Sequence, residues 1–397
     1  MAEVIDENNQ SHFIVPIGPQ HPALKEPGHF EFTIDGEFII GASARLGYVH
    51  RGIEKGVENM SWTQALYMIE RICGICSHIH SLAYCQGVEK LAEIEIAPRA
   101  RAIRTILAEF ERIHSHMLWW GVAAHECGFD TLFMYTWRDR EIVMDLLESV
   151  SGNRINYSVN VIGGVKYDFT PEIIKKTLEG ISKLEERTKH YLDIITTDRT
   201  LLGRTKGVGT MTAAEAQRLG AVGPTARASN VVRDVRVDAP YAAYTDYPVN
   251  IITETAGDIE ARFIVRIKEL LESYRLIREI VNNLPGGELK TKRVPRKMPA
   301  GNVISRVEAP RGELFYYIES NGSEKPERIK VRTPTLPNWA AVINMAPGHR
   351  LADVPMLLVG IDPCFSCNDR SICFTGSQDV WTWDKLREYG IDYYNEQ

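Results

Sequence analysis

The sequence predicts an α+β protein: a core bundle of long helices, with small β elements contributed by the N- and C-terminal parts. Four stretches in the middle of the chain repeat apolar residues at helical spacing. Stretches on either side alternate apolar and polar residues, the period of a half-buried strand. At 397 residues and 44% apolar content the chain can bury a large core, and no fixed-period repeat or low-complexity segment interrupts it.

In chain order, residues 30–41 (FEFTIDGEFIIG) alternate around Asp35-Gly36 and read as a β-hairpin with a tight turn. Pro98 then suits the first turn of a long amphipathic helix carrying Ile103, Ile106, Leu107, Phe110, Ile113, Met117 and Trp120. Ile142, Val143, Leu146, Leu147 and Val150 mark a second helix that stops at Gly152. A third carries Ile173, Ile174, Leu178, Ile181, Leu184, Tyr191 and Ile195. The fourth starts near Asp258, continues through Phe263, Ile267, Leu270, Tyr274, Ile277 and Val281, and ends at LPGG, residues 284–287. These four imply a bundle over about residues 60–285. Past KTKRVPRK, the segments NVISRVE, ELFYYIES and RIKVR return to strand texture between Gly, Pro and Asn-Gly turns. The five cations between Lys290 and Lys297 read as a solvated loop or a partner contact.

A net charge of −6 argues against a nucleic-acid surface and points to protein or small-molecule partners. MAEVIDENNQ lacks the basic start and apolar stretch of a secretory signal, and no apolar run approaches the ~18 residues of a membrane helix. The expectation is a soluble or peripheral chain in a reducing compartment, where cysteines serve metals or redox chemistry rather than disulfides.

Seven cysteines occur, at 73, 76, 85, 127, 364, 367 and 373. Four fall into two Cys-x-x-Cys pairs, and each short segment can present both sulfurs to one ion from a single turn. Soft thiolates select zinc, copper(I), iron-sulfur clusters, or nickel and iron, and the spacing alone does not choose among them. Against structural zinc stand the long helices, which need no staple, and the separation of the pairs, which requires the whole fold to close one site. A thioredoxin-like dithiol lacks the βαβ surroundings it needs. The unpaired Cys85, Cys127 and Cys373 read as small buried hydrophobes. His78, His114, His116 and His125 lie on largely apolar helical stretches, where a hydrogen-bonded core histidine is the default, and none is assigned as a ligand.

RICGICSHIH (71–80) together with DPCFSCNDR (362–370) resembles the paired signature of the large subunit of nickel-iron hydrogenases. GPQHPALKEPGHF, GYVHRGIEKG, FERIHSHM, SGNR, IGGVKYD, GAVGPTARAS and EAPRGELFYY extend the resemblance over most of the chain, toward the energy-converting, membrane-associated branch. Several of these segments also resemble the quinone-site subunit of respiratory complex I, which lacks the four cysteines.

The hydrogenase resemblance implies that Cys73, Cys76, Cys364 and Cys367 ligate nickel, with Cys76 and Cys367 bridging to an iron that carries cyanide and carbon monoxide. It implies Glu26 as the carboxylate that relays protons from a nickel thiolate, Cys367 among the catalytic groups, and Arg311 as a guanidinium over the open metal position. His80 would donate a hydrogen bond toward a cysteine sulfur. Magnesium or iron near the C-terminus belongs to the same pattern. A single unit over residues 1–370 is implied, with a maturation endopeptidase removing 371–397 after Arg370. The expected partners are a small subunit with a 4Fe-4S cluster, further iron-sulfur and integral-membrane subunits, and ferredoxin or a similar carrier, at the cytoplasmic side of a membrane. His21 and His50 match positions near the quinone head group in complex I, and no quinone site is assigned on that basis. A quinone-site oxidoreductase subunit and a structural zinc protein with four cysteine ligands are the competing expectations.

Overall fold

A computed structural model of the chain describes residues 2–5 and 11–369, with Glu388 and Asp392 as isolated further positions. It is α+β, as the periodicities predict. Strands β1 (Ala2–Ile5), β2 (Ser11–Ile17), β3 (His29–Asp35) and β4 (Phe38–Arg45) form an antiparallel sheet in sequence order. The expected hairpin is β3–β4, turning at Gly36, whose φ of 58° is the left-handed conformation a tight turn needs. Phe30, Phe32 and Ile34 alternate onto its buried face.

Two short helices, α1 (Ile53–Val57) and α2 (Trp62–Glu70), lead to α3 (Ser77–Leu91). Helix α2 opens with a reciprocal capping box between Ser61 and Gln64. The 29-residue α4 (Pro98–Glu126) is the central strut, buried on nearly every side, and Pro98 occupies its first turn as expected. Helix α5 (Asp130–Ser151) packs along it and α6 (Pro171–Thr197) packs on α5, the two-residue strands β5 (Asn160–Val161) and β6 (Gly164–Val165) lying between α5 and α6 in sequence. Gly152 ends α5 in the left-handed conformation. Four short helices follow: α7 (Arg199–Thr205), α8 (Ala213–Arg218), α9 (Gly223–Arg227) and α10 (Val235–Asp238). Asp258 caps α11 (Ile259–Asn282) through Ala261 N at 2.8 Å, and α11 packs on α4 and α6. Trp119 and Trp120 of α4 meet Phe263 of α11 with ring centroids 4.6 and 5.3 Å apart.

The C-terminal sheet is the meander β7 (Gly301–Ala309), β8 (Gly312–Ser320), β9 (Arg328–Arg332), with α3 packed on β7 and β8. Helices α12 (Thr335–Met345), α13 (Val354–Val359) and α14 (Phe365–Asn368) return the chain to the bundle. Among the described residues, no helix is long and apolar enough to cross a membrane.

The four anticipated helices are α4, α5, α6 and α11, and α5 begins before its apolar repeat at Ile142 because Met134, Tyr135 and Trp137 face outward. The Lys290–Lys297 run is exposed at nearly every position. Cys85 is buried, and Cys127, only partly buried, lies 3.4 Å from Met356 Sδ. Residues 371–397, with Cys373 and the expected cut after Arg370, lie outside the continuous described stretch.

Candidate metal centre

The early cysteine pair occupies the turn between α2 and α3, and Cys76 N donates to Cys73 Sγ at 3.2 Å, so the turn closes on its own sulfur. Of the late pair, Cys364 occupies the cap position of α14 and Cys367 lies within that helix. Asp362, in the left-handed conformation at φ 56°, and Pro363 turn the chain there, and Cys364 N donates to Thr335 Oγ1 at 3.3 Å. These two turns meet. Cys73 Sγ and Cys364 Sγ are 3.4 Å apart across 291 residues of sequence. The sulfurs of Cys73, Cys364 and Cys367 all lie within 4.8 Å of one another, and all three residues are buried. Cys76, also buried, stands outside that triple, with its sulfur 3.2 Å from Arg311 Nη1.

Segments remote in sequence clasp this junction. Arg51 donates from Nη1 to the carbonyl of Arg71 at 2.8 Å, and from Nη2 to the carbonyls of Ile72 at 2.5 Å and Ser366 at 2.8 Å. One guanidinium thereby ties both cysteine segments together. Val49 N donates to Asp369 Oδ2 at 3.0 Å, and His50 Nδ1 lies 3.4 Å from the Asp369 carbonyl.

Glu26 reaches the late pair from the loop between β2 and β3. Its Oε2 accepts from Phe365 N at 2.7 Å and Ser366 N at 3.0 Å, and its Oε1 accepts from the Ser366 hydroxyl. Gly28 permits that approach, since a Cβ there would stand 2.3 Å from Phe365 Cε1. Burial raises the Glu26 carboxyl above the ordinary range, the backbone donors oppose that shift, and the charge of Cys73 reinforces it. With Cys73, Cys364 and Arg311, Glu26 lines a mostly apolar cavity of about 340 Å³ whose walls include Leu24, Trp119 and Val359.

Arg311 sits at the tip of the β7–β8 hairpin and is fully enclosed. Nε and Nη2 donate to the carbonyl and carboxylate of Asp362, both at 2.8 Å, and Nη1 also reaches Ser115 Oγ at 3.1 Å. Burial works against its charge, but Asp362 and then the cysteine sulfurs outweigh burial and hold it firmly protonated. Among the sulfurs, hydrogen bonds from Cys364, Cys367 and Cys76 hold Cys73 well below the usual thiol range. The other three thiols are pushed up, with Cys73 among the causes for each. Four buried sulfurs brought together in this way are a soft donor set suited to nickel, iron or zinc and unsuited to magnesium or calcium.

Of the remaining anticipated residues, His80 Nδ1 lies 2.7 Å from the Tyr316 hydroxyl. His78, His114 and His116 are buried and hydrogen-bonded, to the Arg104 carbonyl, the Ile75 carbonyl and Glu269. His125 is exposed and sits 2.6 Å from Asp130. His21 is exposed and, among the described residues, accepts a local bond from Ala23 N. Arg51, Ser115, Asp362, Ser366 and Glu111 were not anticipated. Arg51 belongs to the segment GYVHRGIEKG, and its clasping role is visible only once the chain has folded.

The family profile described as respiratory-chain NADH dehydrogenase, 49 Kd subunit, matches residues 126–297 and 293–370, and that described as nickel-dependent hydrogenase matches 51–124. The carbon monoxide-induced hydrogenase of Rhodospirillum rubrum is 39% identical over 91% of this chain and 100% of its own length. The membrane-bound hydrogenase subunit alpha of Pyrococcus furiosus is 39% identical over 95% of this chain and 92% of its own. The chain belongs to the family that unites membrane-bound hydrogenases with the 49 kDa NADH dehydrogenase subunit. Another member of this hydrogenase–dehydrogenase family, a subunit of the F420H2 dehydrogenase of Methanosarcina mazei, is 37% identical over 93% of this chain and 100% of its own. The solved membrane-bound sulfane sulfur reductase, an archaeal respiratory membrane complex, superposes with a TM-score of 0.86 at 28% identity, covering 90% of this chain and 98% of the matched one. Members therefore differ in the reaction that their names record, and the choice for this chain rests on its cysteines.

Proposed function

We propose that the chain is the catalytic subunit of an energy-converting nickel-iron hydrogenase, interconverting H2 with protons and electrons at the centre built by Cys73, Cys76, Cys364 and Cys367. The observation that carries this reading is the meeting of the early and late sulfurs, with Cys73 Sγ 3.4 Å from Cys364 Sγ inside a buried pocket. A nickel-iron centre held by these sulfurs would supply the redox step. The chain's own residues do the rest. The apolar cavity admits a small uncharged molecule and keeps bulk water back. Glu26, its carboxyl raised toward neutrality, takes or gives a proton at Oε1 or Oε2, and the Ser366 hydroxyl hydrogen-bonded to Oε1 is the next station. Arg311, locked by Asp362, places a fixed positive charge beside Cys76 and the cavity.

In this reading electrons leave through a separate iron-sulfur small subunit toward ferredoxin or a similar carrier, and the assembly docks on integral-membrane subunits at the cytoplasmic side of a membrane. The names of the relatives and of the solved neighbour, which are parts of membrane complexes, support such an assembly. A quinone-site reading draws on the longer match to the 49 Kd subunit profile. Metal analysis and infrared spectroscopy on the purified complex, with H2 uptake and evolution assays, test the choice. Nickel with cyanide and carbonyl stretches, lost together with H2 activity in Cys367→Ser, is the expected result. A metal-free active complex that reduces quinone, or zinc alone, overturns the proposal.

A further inference from the structure

We propose that Trp137 sets the width of the cavity mouth and so selects, by size, which uncharged molecules reach the cysteine centre; this deepens, and rests on, the hydrogenase reading above. The cavity measures about 340 Å³, and among the described residues that line it Lys25, Gly74 and Trp137 are the exposed ones. The mouth therefore opens between those three. Lys25 is held to Glu126 at the C-terminal end of α4, with Nζ 2.8 Å from Oε1, so its stem straps one side. Gly74, in the turn between Cys73 and Cys76, forms another side and has no side chain to swing. Trp137, on α5, is the bulky wall that remains. Its indole is 36% exposed and can move toward solvent, whereas Trp119 and Leu358, deeper in the same cavity, are buried.

The fold makes room for this ring and holds it from several directions. Gly121 of α4 lies against it: a Cβ there would stand 2.4 Å from Trp137 Cδ1, closer than a side chain permits. Phe133, one turn earlier on α5, meets the indole with ring centroids 5.1 Å apart. Arg140 places its guanidinium carbon 5.6 Å from the centroid of the same ring. Arg140 also donates from Nε to the His114 carbonyl at 3.2 Å and from Nη2 to His114 Nδ1 at 3.1 Å. Since a guanidinium only donates, Nδ1 accepts, and Nε2 carries the proton that reaches the Ile75 carbonyl at 2.9 Å. Ile75 lies between Cys73 and Cys76 and lines the cavity. One chain of contacts thus joins the ring at the mouth to the turn that carries the early cysteines.

The test uses the purified complex carrying Trp137→Ala, Trp137→Phe or, as a control, Tyr135→Ala, an exposed aromatic of the same helix that does not line the cavity. Complex from nickel-starved cells is treated with iodoacetamide, and alkylation of each cysteine is followed by mass spectrometry. Trp137→Ala should speed alkylation of Cys73 and Cys364 by about tenfold, and Trp137→Phe should speed it less. Cys85, buried outside the cavity, should stay slow throughout. In nickel-replete complex, inactivation by oxygen should quicken in the same order. Rates at Cys73 and Cys364 that stay at the unmodified level in Trp137→Ala overturn the assignment of Trp137. So do rates that rise equally at Cys85 or in Tyr135→Ala, which would mark a general loosening. The alkylation arm needs no metal, so nickel missing from the replete complex overturns the hydrogenase reading and leaves the result at the mouth standing.

Discussion

Glu26 and Glu111 serve the same backbone need at the two halves of one centre. Each accepts two N–H groups from the residues that follow a cysteine: Phe365 and Ser366 after Cys364, His78 and Ile79 after Cys76. Neither helix start has a capping side chain of its own, because cysteine occupies the cap position in both. Their surroundings differ. Glu26 is half-buried, comes from a loop, carries a serine hydroxyl and faces a cavity. Glu111 is sealed in the central helix. The same carboxyl group is thus an exchangeable site in one place and a sealed one in the other, and the difference lies in water access rather than in hydrogen-bond pattern.

The largest expected effect that sharpens this contrast is on turnover. Glu26→Gln should lower H2 oxidation by about 10²- to 10⁴-fold, the range of a lost proton-transfer group, with nickel content unchanged. Turnover at the native level would break the assignment of Glu26 as the exposed partner. Next comes the charge shared by both halves. Arg311→Met leaves Asp362 buried without its partner and should cost about 3–5 kcal/mol of stability, read from denaturant titration. Smaller again is the difference between alanine variants of the two acids. Glu111→Ala strands two sealed N–H groups and should cost about 2–3 kcal/mol, whereas water can replace Glu26 in part, so Glu26→Ala should cost less. Equal losses of melting temperature would show that the two sites are equally wet.

The last prediction concerns acid. Burial depresses His78 and His114 to about 3, so both are neutral in the fold, while the unfolded chain protonates them below about 6.5. Between those values the unfolded state binds more protons, so their contribution is complete above pH 6.5 and is lost as pH falls toward 3. Melting temperature should decline slightly from about pH 7 to 6 and steeply below about 5. A flat profile would mean that these histidines are hydrated.

What could be read from the sequence follows the same division between local and long-range causes. Helices α4, α5, α6 and α11 each show a periodic apolar stripe, a local signal. Helix α3 hides Ser77, His78, His80, Ser81 and Glu89 together with Ile79 and Leu82, so no stripe marks it. The cysteine pairs were legible because thiolate spacing has a chemical meaning by itself. Glu26 and Arg311 could be singled out only through resemblance, since a loop acid and a turn arginine carry no pattern. Arg51 and Glu111 acquire their roles from atoms 20 to 315 positions away. The four cysteines, equivalent in spacing, separate in space into a tight triple and Cys76 beside Arg311.

The 291-residue interval between Cys73 and Cys364 also dictates an order of events during synthesis. A ribosome working from the N-terminus exposes Cys73 and Cys76 long before their counterparts exist. Any factor that delivers an ion to a growing chain would meet half a set of donors. If the chain takes up the ion proposed above, loading waits until the segment past Pro363 has been made and Cys364 has met Cys73, so completion of the polypeptide itself would time the assembly of its reactive heart.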